Sequence, residues 1–404
     1  MKKTVTSLML VALATAAYAQ NPDGLKQVMS AEKYSDAKEL VKGAEGTMTN
    51  AEKAKAYNKL VDLAVADNTK AEEKALKAQV AQDAAEMTAQ NTKKAKAAYN
   101  ALQAAFKCNE YDQQPNDKGK VSPKFQKKNV DRLLAVRNSL INPALDAYNA
   151  KDYNSAKKYF GTFVEARQNP LFANADFSKE QNYGQVAYYA SLAAFLDKDY
   201  KKASQYADIA IASGEAEAAK DAVTIKINAL NEQVKDGKLS KDKLEEQLKA
   251  FYDKNPDNEA VFTNLYNAYA DNGKKEQADA LINSRLANNP NDVMANALKG
   301  QNAQNAEDFT TAIEAYNNAL KAKPDFLAVK TNIGICYLTR AANSVDKNTN
   351  DRGQLKAEAK PAILEDLNQA KKVFEEVKAA DPDQAQAKWS FALERTNYIL
   401  ENIK

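Results

Sequence analysis

Lysine and acid are interspersed with apolar positions along most of this chain, the pattern of helices that solvate one face. No segment shows the Val, Ile and Thr alternation of a half-buried strand. An apolar stretch over residues 8–17 follows Lys2 and Lys3 and precedes the small-residue site Ala17-Tyr18-Ala19. It falls short of the roughly 20 apolar residues that span a bilayer, so residues 1–19 read as an export signal cleaved before Gln20. Gln20 stands where a lipid-anchored protein carries Cys, and no later stretch is long and apolar enough to cross a membrane. Helix pairs are predicted at about 130–168, 182–213, 217–254, 258–288, 292–322 and 326–380, with a closing helix at about 384–402. Residues 25–108 are also expected to be helical. Within them, 69–106 holds no Gly or Pro and offers Leu76, Val80, Met87, Tyr99, Leu102 and Phe106 as buried positions. Pro115, Gly119 and Pro123 mark 109–128 as a hinge. The expected layout is therefore an N-terminal helical region (20–110), a connector (111–129) and a repeat array (130–404).

The array announces itself by self-similarity at a fixed period. Ala278 and Ala312 are 34 residues apart, as are Pro290 and Pro324, and Gly300 and Gly334. A small residue precedes a proline by twelve positions at Ala278–Pro290, Ala312–Pro324 and Ala370–Pro382, and four residues after each alanine stands Ile282, Tyr316 or Phe374. Gly or Ala is needed where two helices cross most closely. Proline ends the second helix because it cannot continue one, as at Asn255-Pro256-Asp257 and Asn289-Pro290-Asn291. A second signature places an aromatic three residues before an alanine: Tyr34/Ala37, Tyr153/Ala156, Tyr200/Ala203 and Phe309/Ala312. Asp152, Asp199 and Asp308 precede three of those aromatics, at positions suited to capping open helix amides.

These positions together resemble the tetratricopeptide repeat (TPR), with two antiparallel helices per unit. The resemblance implies an all-α fold, a right-handed solenoid of antiparallel helix pairs with degenerate repeats in the N-terminal region. It is specific over 258–382, good over 137–213 and weak over 217–256. Between Ala312 and Ala370 the spacing exceeds one period by 24 residues, a surplus placed around 343–356.

Composition agrees with helix throughout: 404 residues contain only 12 Gly and 10 Pro. The formal charge of +3 falls to +1 once Lys2 and Lys3 leave with the signal, so the isoelectric point near 8.4 does not point to nucleic acid. Cys108 and Cys336 are expected to be unpaired thiols, since distant repeats of an array do not touch, with Cys336 the less accessible.

The chain has no histidine, which removes imidazole-based hydrolysis and His-ligated zinc, and no Gly-rich phosphate loop. No catalytic residue, cofactor or metal is expected, and scattered acids make any carboxylate pair uninformative. Lys118, Lys120, Lys124, Lys127 and Lys128 form a local basic cluster read as a solvated connector. By the resemblance, the first helix of each pair lines an inner face. That places Thr263, Asn267, Gln301, Gln304 and Asn305 there as amide and hydroxyl partners for a peptide backbone. In the N-terminal pairs the equivalent positions hold Tyr148, Tyr188, Leu192 and Phe195, which either anchor a partner or pack between helices. The expected function is a non-catalytic scaffold that binds a protein or peptide, similar to exported TPR proteins of Gram-negative bacteria and periplasmic or secreted. No nucleic-acid partner and no integral membrane segment are expected. The alternative is carbohydrate capture, by likeness to outer-membrane starch-binding proteins with TPR-like helices, although Trp389 is the only tryptophan for sugar stacking.

Overall fold

The computed structural model describes residues 24–403 apart from 116–118 and 352–353, so the expected export signal lies outside the described residues. The chain is an all-α helical solenoid. Among the described residues, extended pairing is limited to one isolated antiparallel bridge, between Thr349 and Leu355. Two compact units divide after Asp236.

Unit one contains α1 (Gly24–Ser30), α2 (Tyr34–Ala44), α3 (Asn50–Val80), α4 (Ala84–Asp112), α5 (Gln126–Asn138), α6 (Ile141–Asn149), α7 (Tyr153–Gln168), α8 (Tyr183–Leu196), α9 (Tyr200–Ala212) and α10 (Ala216–Lys235). The long helices α3 and α4 form a hairpin because an alanine seam lets them close up: Ala64, Ala71, Ala75 and Ala78 face Ala95, Ala98, Ala101 and Ala105, all buried. A reciprocal capping box of Thr49 and Glu52 starts α3, and Asp83 caps α4. Near the tip the seam is filled by alanine and the buried Gln90, and Leu76 (56 % exposed) and Val80 (87 % exposed) point to solvent, contrary to the expectation of burial. Leu102 is fully buried as expected, with Met87, Tyr99 and Phe106 partly so. The segment 111–129, expected as a connector, lies within unit one. There the buried Asp112 carboxylate accepts the backbone N–H groups of Lys124 (2.8 Å) and Phe125 (2.7 Å). Lys118 of the basic cluster lies outside the described residues, and Lys128 reaches Asp62 at 3.4 Å.

Residues 130–168 hold three helices where the sequence predicts a pair, since α5 and α6 are separated by a short turn before α7. The two helices predicted as a pair at 217–254 fall in different units: α10 packs on α8 and α9 in unit one, and the second helix belongs to unit two. Gly237, at φ +69°, takes the left-handed turn after α10 that a side chain would strain.

Unit two contains α11 (Lys241–Lys254), α12 (Glu259–Asp271), α13 (Lys275–Asn288), α14 (Val293–Asn305), α15 (Phe309–Ala322), α16 (Leu327–Asn348), α17 (Lys360–Ala380) and α18 (Ser390–Asn402), each packed on the next. The crossings are those the repeat pattern predicts. A Cβ on Gly300 would stand 2.5 Å from Tyr316, and one on Gly334 would stand 2.6 Å from Phe374. The surplus residues lengthen α16 and α17 around a loop, as expected. The closing helix starts at Ser390, six residues later than predicted (390 − 384). The reason is Asp381, whose carboxylate takes the N–H groups of Ala385, Gln386 and Ala387 into a loop.

One turn recurs wherever the aromatic signature occurs in the pairs. Asp152, Asp199 and Asp308 each cap the following helix through the N–H three residues on, as predicted. Each also donates its own N–H back five residues, to Ala147, Ala194 and Ala303, closing a Schellman turn on the preceding helix. The same bonds form at Asp83 and at Lys274. The residue before each bond is left-handed, yet only Gly273 is glycine; Gln82, Lys151, Lys198 and Glu307 hold φ between 56° and 62°. Replacing Lys198 by glycine should therefore stabilise unit one. A left-handed side chain costs about 1–2 kcal/mol and glycine's extra chain entropy about 0.5–1 kcal/mol, leaving a net gain of about 0.5 kcal/mol. A thermal melt of Lys198→Gly at or below the parent's midpoint would refute this.

Both cysteines are free and fully buried. Cys108 is not the more accessible thiol: it faces α3, where its Sγ donates to the Ala54 carbonyl at 3.3 Å. Burial pushes both thiols up to about 12.

Candidate functional site

The polar candidates all lie on α12 and α14 of unit two. Asn258 caps the first of these helices through the Val261 N–H, and Asp292 caps the second through the Ala295 N–H while Arg285 holds Asp292 at 2.7 Å. The two helices therefore start from fixed points. Asn267 and Gln301 are exposed, with both amides facing solvent. Thr263 is committed locally, its hydroxyl donating to the Glu259 carbonyl at 2.9 Å. Gln304 is also committed, since its Oε1 accepts the Tyr316 hydroxyl at 2.7 Å, and burial raises the Tyr316 phenol well above its ordinary range. Asn305 is exposed at the edge of a cavity of about 320 Å³ lined by Tyr266, Gly273, Asn302 and Ala306.

That cavity contains a residue the repeat pattern does not pick out. Asn302 accepts the Tyr266 hydroxyl and donates to Asp279 at 2.8 Å, tying α12, α13 and α14 together through one amide. Burial raises the Tyr266 phenol, so it stays a donor. No sequence signal separates Asn302 from its neighbours Gln301 and Gln304, because all are amides on one helix. Only the position of Tyr266 opposite distinguishes it.

The aromatic candidates behave as packing. Tyr148 stands edge-on to Tyr153 (5.7 Å between ring centres) and to Tyr189 (5.9 Å), and Tyr189 also meets Tyr188 (5.5 Å) and Phe160 (5.8 Å). Phe195 packs on Tyr200 at 5.4 Å. Tyr189, missed in the sequence, is the hub that joins Tyr148 and Tyr188. All four candidates, Leu192 included, are half-buried, and burial raises the phenols of Tyr148 and Tyr188. Among the described residues no cluster of three or more Cys, Asp or Glu is placed to hold a metal ion. No helix among them is long and apolar enough to cross a membrane.

No protein-family model matches the chain, and no curated protein matches it. Among solved structures it is similar to a monomeric IFIT1 mutant with m7Gppp-AAAA, at 15 % identity over 95 % of this chain and 75 % of that one, TM-score 0.38. It is similar also to a TPR repeats protein from Bacteroides fragilis NCTC 9343, at 17 % identity over 65 % of this chain and 98 % of that one, TM-score 0.28. A third is the P58(IPK) TPR domain, at 14 % identity over 83 % and 98 %, TM-score 0.21. What places this chain among helical-repeat proteins is its own packing, the glycine crossings and recurring capped turns above all.

Proposed function

We propose that this chain is an exported, non-catalytic scaffold of TPR-type helix pairs that binds a protein or peptide partner along α12 and α14. The observation that carries the proposal is the pair Asn267 and Gln301: exposed amides on successive first helices. An amide offers both donor and acceptor to a peptide backbone, which a lysine or glutamate does not. The balance of charge favours protein over nucleic acid as the partner. Residues 8–19 support export to the periplasm or beyond.

Asn267→Ala combined with Gln301→Ala should weaken partner capture from envelope extracts about tenfold, the size of one or two lost hydrogen bonds at an interface. Thermal stability should change by no more than about 0.5 kcal/mol, as for exposed polar positions generally. Gln304→Ala is a separate case, since it strands the Tyr316 hydroxyl. Quantitative mass spectrometry that finds capture unchanged in the double variant would refute the assignment of this face.

A further inference from the structure

Unit one carries a lysine-lined cleft that the repeat array does not include. It has a volume of about 580 Å³ and lies between the start of α2 and the facing sides of α3 and α4, with Lys33, Lys70, Lys74, Lys93 and Lys96 on its walls against Glu32 and Asp67. Five cations against two anions is a sharp local excess in a chain that is otherwise close to neutral. The lysines are exposed, and none of the five forms an ion pair among the described residues, whereas Lys94 on the same helix is paired with Glu72 at 2.5 Å. Tyr34 and Asn100 also line the neighbouring cleft, about 340 Å³, where Lys38, Lys42 and Lys107 stand against Glu45, with Lys107 paired to Glu110. The like charges are felt locally: Lys158, whose Nζ sits 4.0 Å from the Tyr99 ring centre, is held below its ordinary value by burial first and then by Lys96 and Lys38. A cleft walled by one sign of charge concentrates counter-ions and ligands of the opposite sign.

We infer that this cleft binds an acidic peptide segment of a partner protein. The inference rests on the reading that the chain binds protein, and it names a second contact with such a partner. Two features favour carboxylates on a peptide over a nucleic acid. The cleft contains no arginine, the residue whose planar fork matches phosphate. Its one aromatic, Tyr34, is half-buried against the core, and in the neighbouring cleft Lys158 covers the ring of Tyr99, which leaves little face for stacking bases. The spacing fits as well. Lys70 and Lys74 are four residues apart on α3, and Lys93 and Lys96 three apart on α4, so each row sets its Cβ atoms about 5–6 Å apart and lets the flexible side chains reach neighbouring carboxylates. Alternate side chains of an extended peptide project on one side at about 6–7 Å. Asn100, at the junction of the two clefts, offers an amide to the peptide backbone.

The test uses the full chain and a fluorescein-labelled peptide of about ten residues alternating Glu and Ser, followed by anisotropy. Binding should weaken about tenfold or more in Lys70→Gln/Lys74→Gln/Lys93→Gln/Lys96→Gln. It should also weaken between about 0.01 M and about 0.15 M salt, where the screening length falls from about 30 to about 8 Å. A charge-matched control, Lys26→Gln/Lys55→Gln/Lys77→Gln/Lys127→Gln, removes exposed lysines from outside the cleft and should bind as the parent does, with helix content and melting unchanged in both. The inference is overturned if the cleft variant binds as tightly as the parent or if the control loses affinity equally. It is also overturned if single-stranded DNA of equal charge, or vesicles of anionic lipid, bind more tightly than the peptide. Peptide binding should persist in Asn267→Ala/Gln301→Ala, so failure at the cleft and failure of the α12–α14 face are read from different variants.

Discussion

Glu180→Ala should destabilise unit one by about 3–5 kcal/mol, the cost of leaving a buried charge without its partner. The stranded charge is Arg137 on α5, only 1 % exposed. Its Nε donates to the Phe163 carbonyl at 2.7 Å, its guanidinium lies 3.6 Å from the Phe163 ring centre and 5.2 Å from that of Phe177, and Nη1 donates to Glu180. Nη2 is buried with no hydrogen-bond partner among the described residues, so the site already carries one unmet donor before any mutation. Burial pulls the Arg137 guanidinium below its ordinary value, and Glu180 pulls it back. Glu180 also accepts from Arg167 at 3.2 Å, and it sits in the segment between α7 and α8, so one carboxylate pins that segment to two helices. The double variant Arg137→Met/Glu180→Leu should recover most of the loss, because removing both charges removes the desolvation problem with them. A cost below about 1 kcal/mol for Glu180→Ala, measured by chemical denaturation, would mean that water reaches the pair and the burial argument fails.

Gly334→Leu should cost unit two about 3 kcal/mol, at the upper end of ordinary overpacking. Even the first added carbon would stand 2.6 Å from Cε1 and 2.8 Å from Cζ of Phe374. Phe374 cannot step aside, since it is fully buried beside Leu367, Ala370 and Val377. Gly43 provides the contrast: it is also helical, on α2, but a Cβ there meets nothing within 4 Å. Gly43→Ala should thus gain up to about 1 kcal/mol from helix propensity. Equal melting shifts at the two glycines would show that backbone entropy, and not the α16–α17 crossing, sets the preference at Gly334.

The elements that were legible in the sequence are those where one residue does one local job. Helices end just before Pro256, Pro290, Pro324 and Pro382, Asp152, Asp199 and Asp308 cap through their own side chains, and Gly300 and Gly334 meet the bulky residues that the period assigns to them. The errors fall where the outcome depends on what lies opposite. Leu76 and Val80 have the right spacing for burial but no third helix to cover them, and Cys108 is buried because α3 happens to face it. The turn at Gln82 contains neither Gly nor Pro, so no breaker marks it, and backbone bonds to Gln79 and Ala78 hold it instead. At the candidate site the residue types were legible and their commitments were not. Thr263 and Gln304 look as free as Asn267 and Gln301 until the Glu259 carbonyl and the Tyr316 hydroxyl claim them.

Asp381 does more than delay the last helix. Its carbonyl accepts the indole N–H of Trp389 at 2.8 Å, and that side chain is 7 % exposed in the core of α16, α17 and α18. Because Trp389 is the only tryptophan in the chain, its emission is an intrinsic optical probe confined to the C-terminal end of unit two. Melting followed by indole fluorescence should register Gly334→Leu and stay blind to Glu180→Ala, while circular dichroism registers both. Tracked side by side, the two signals give each unit its own unfolding curve without a label having to be attached.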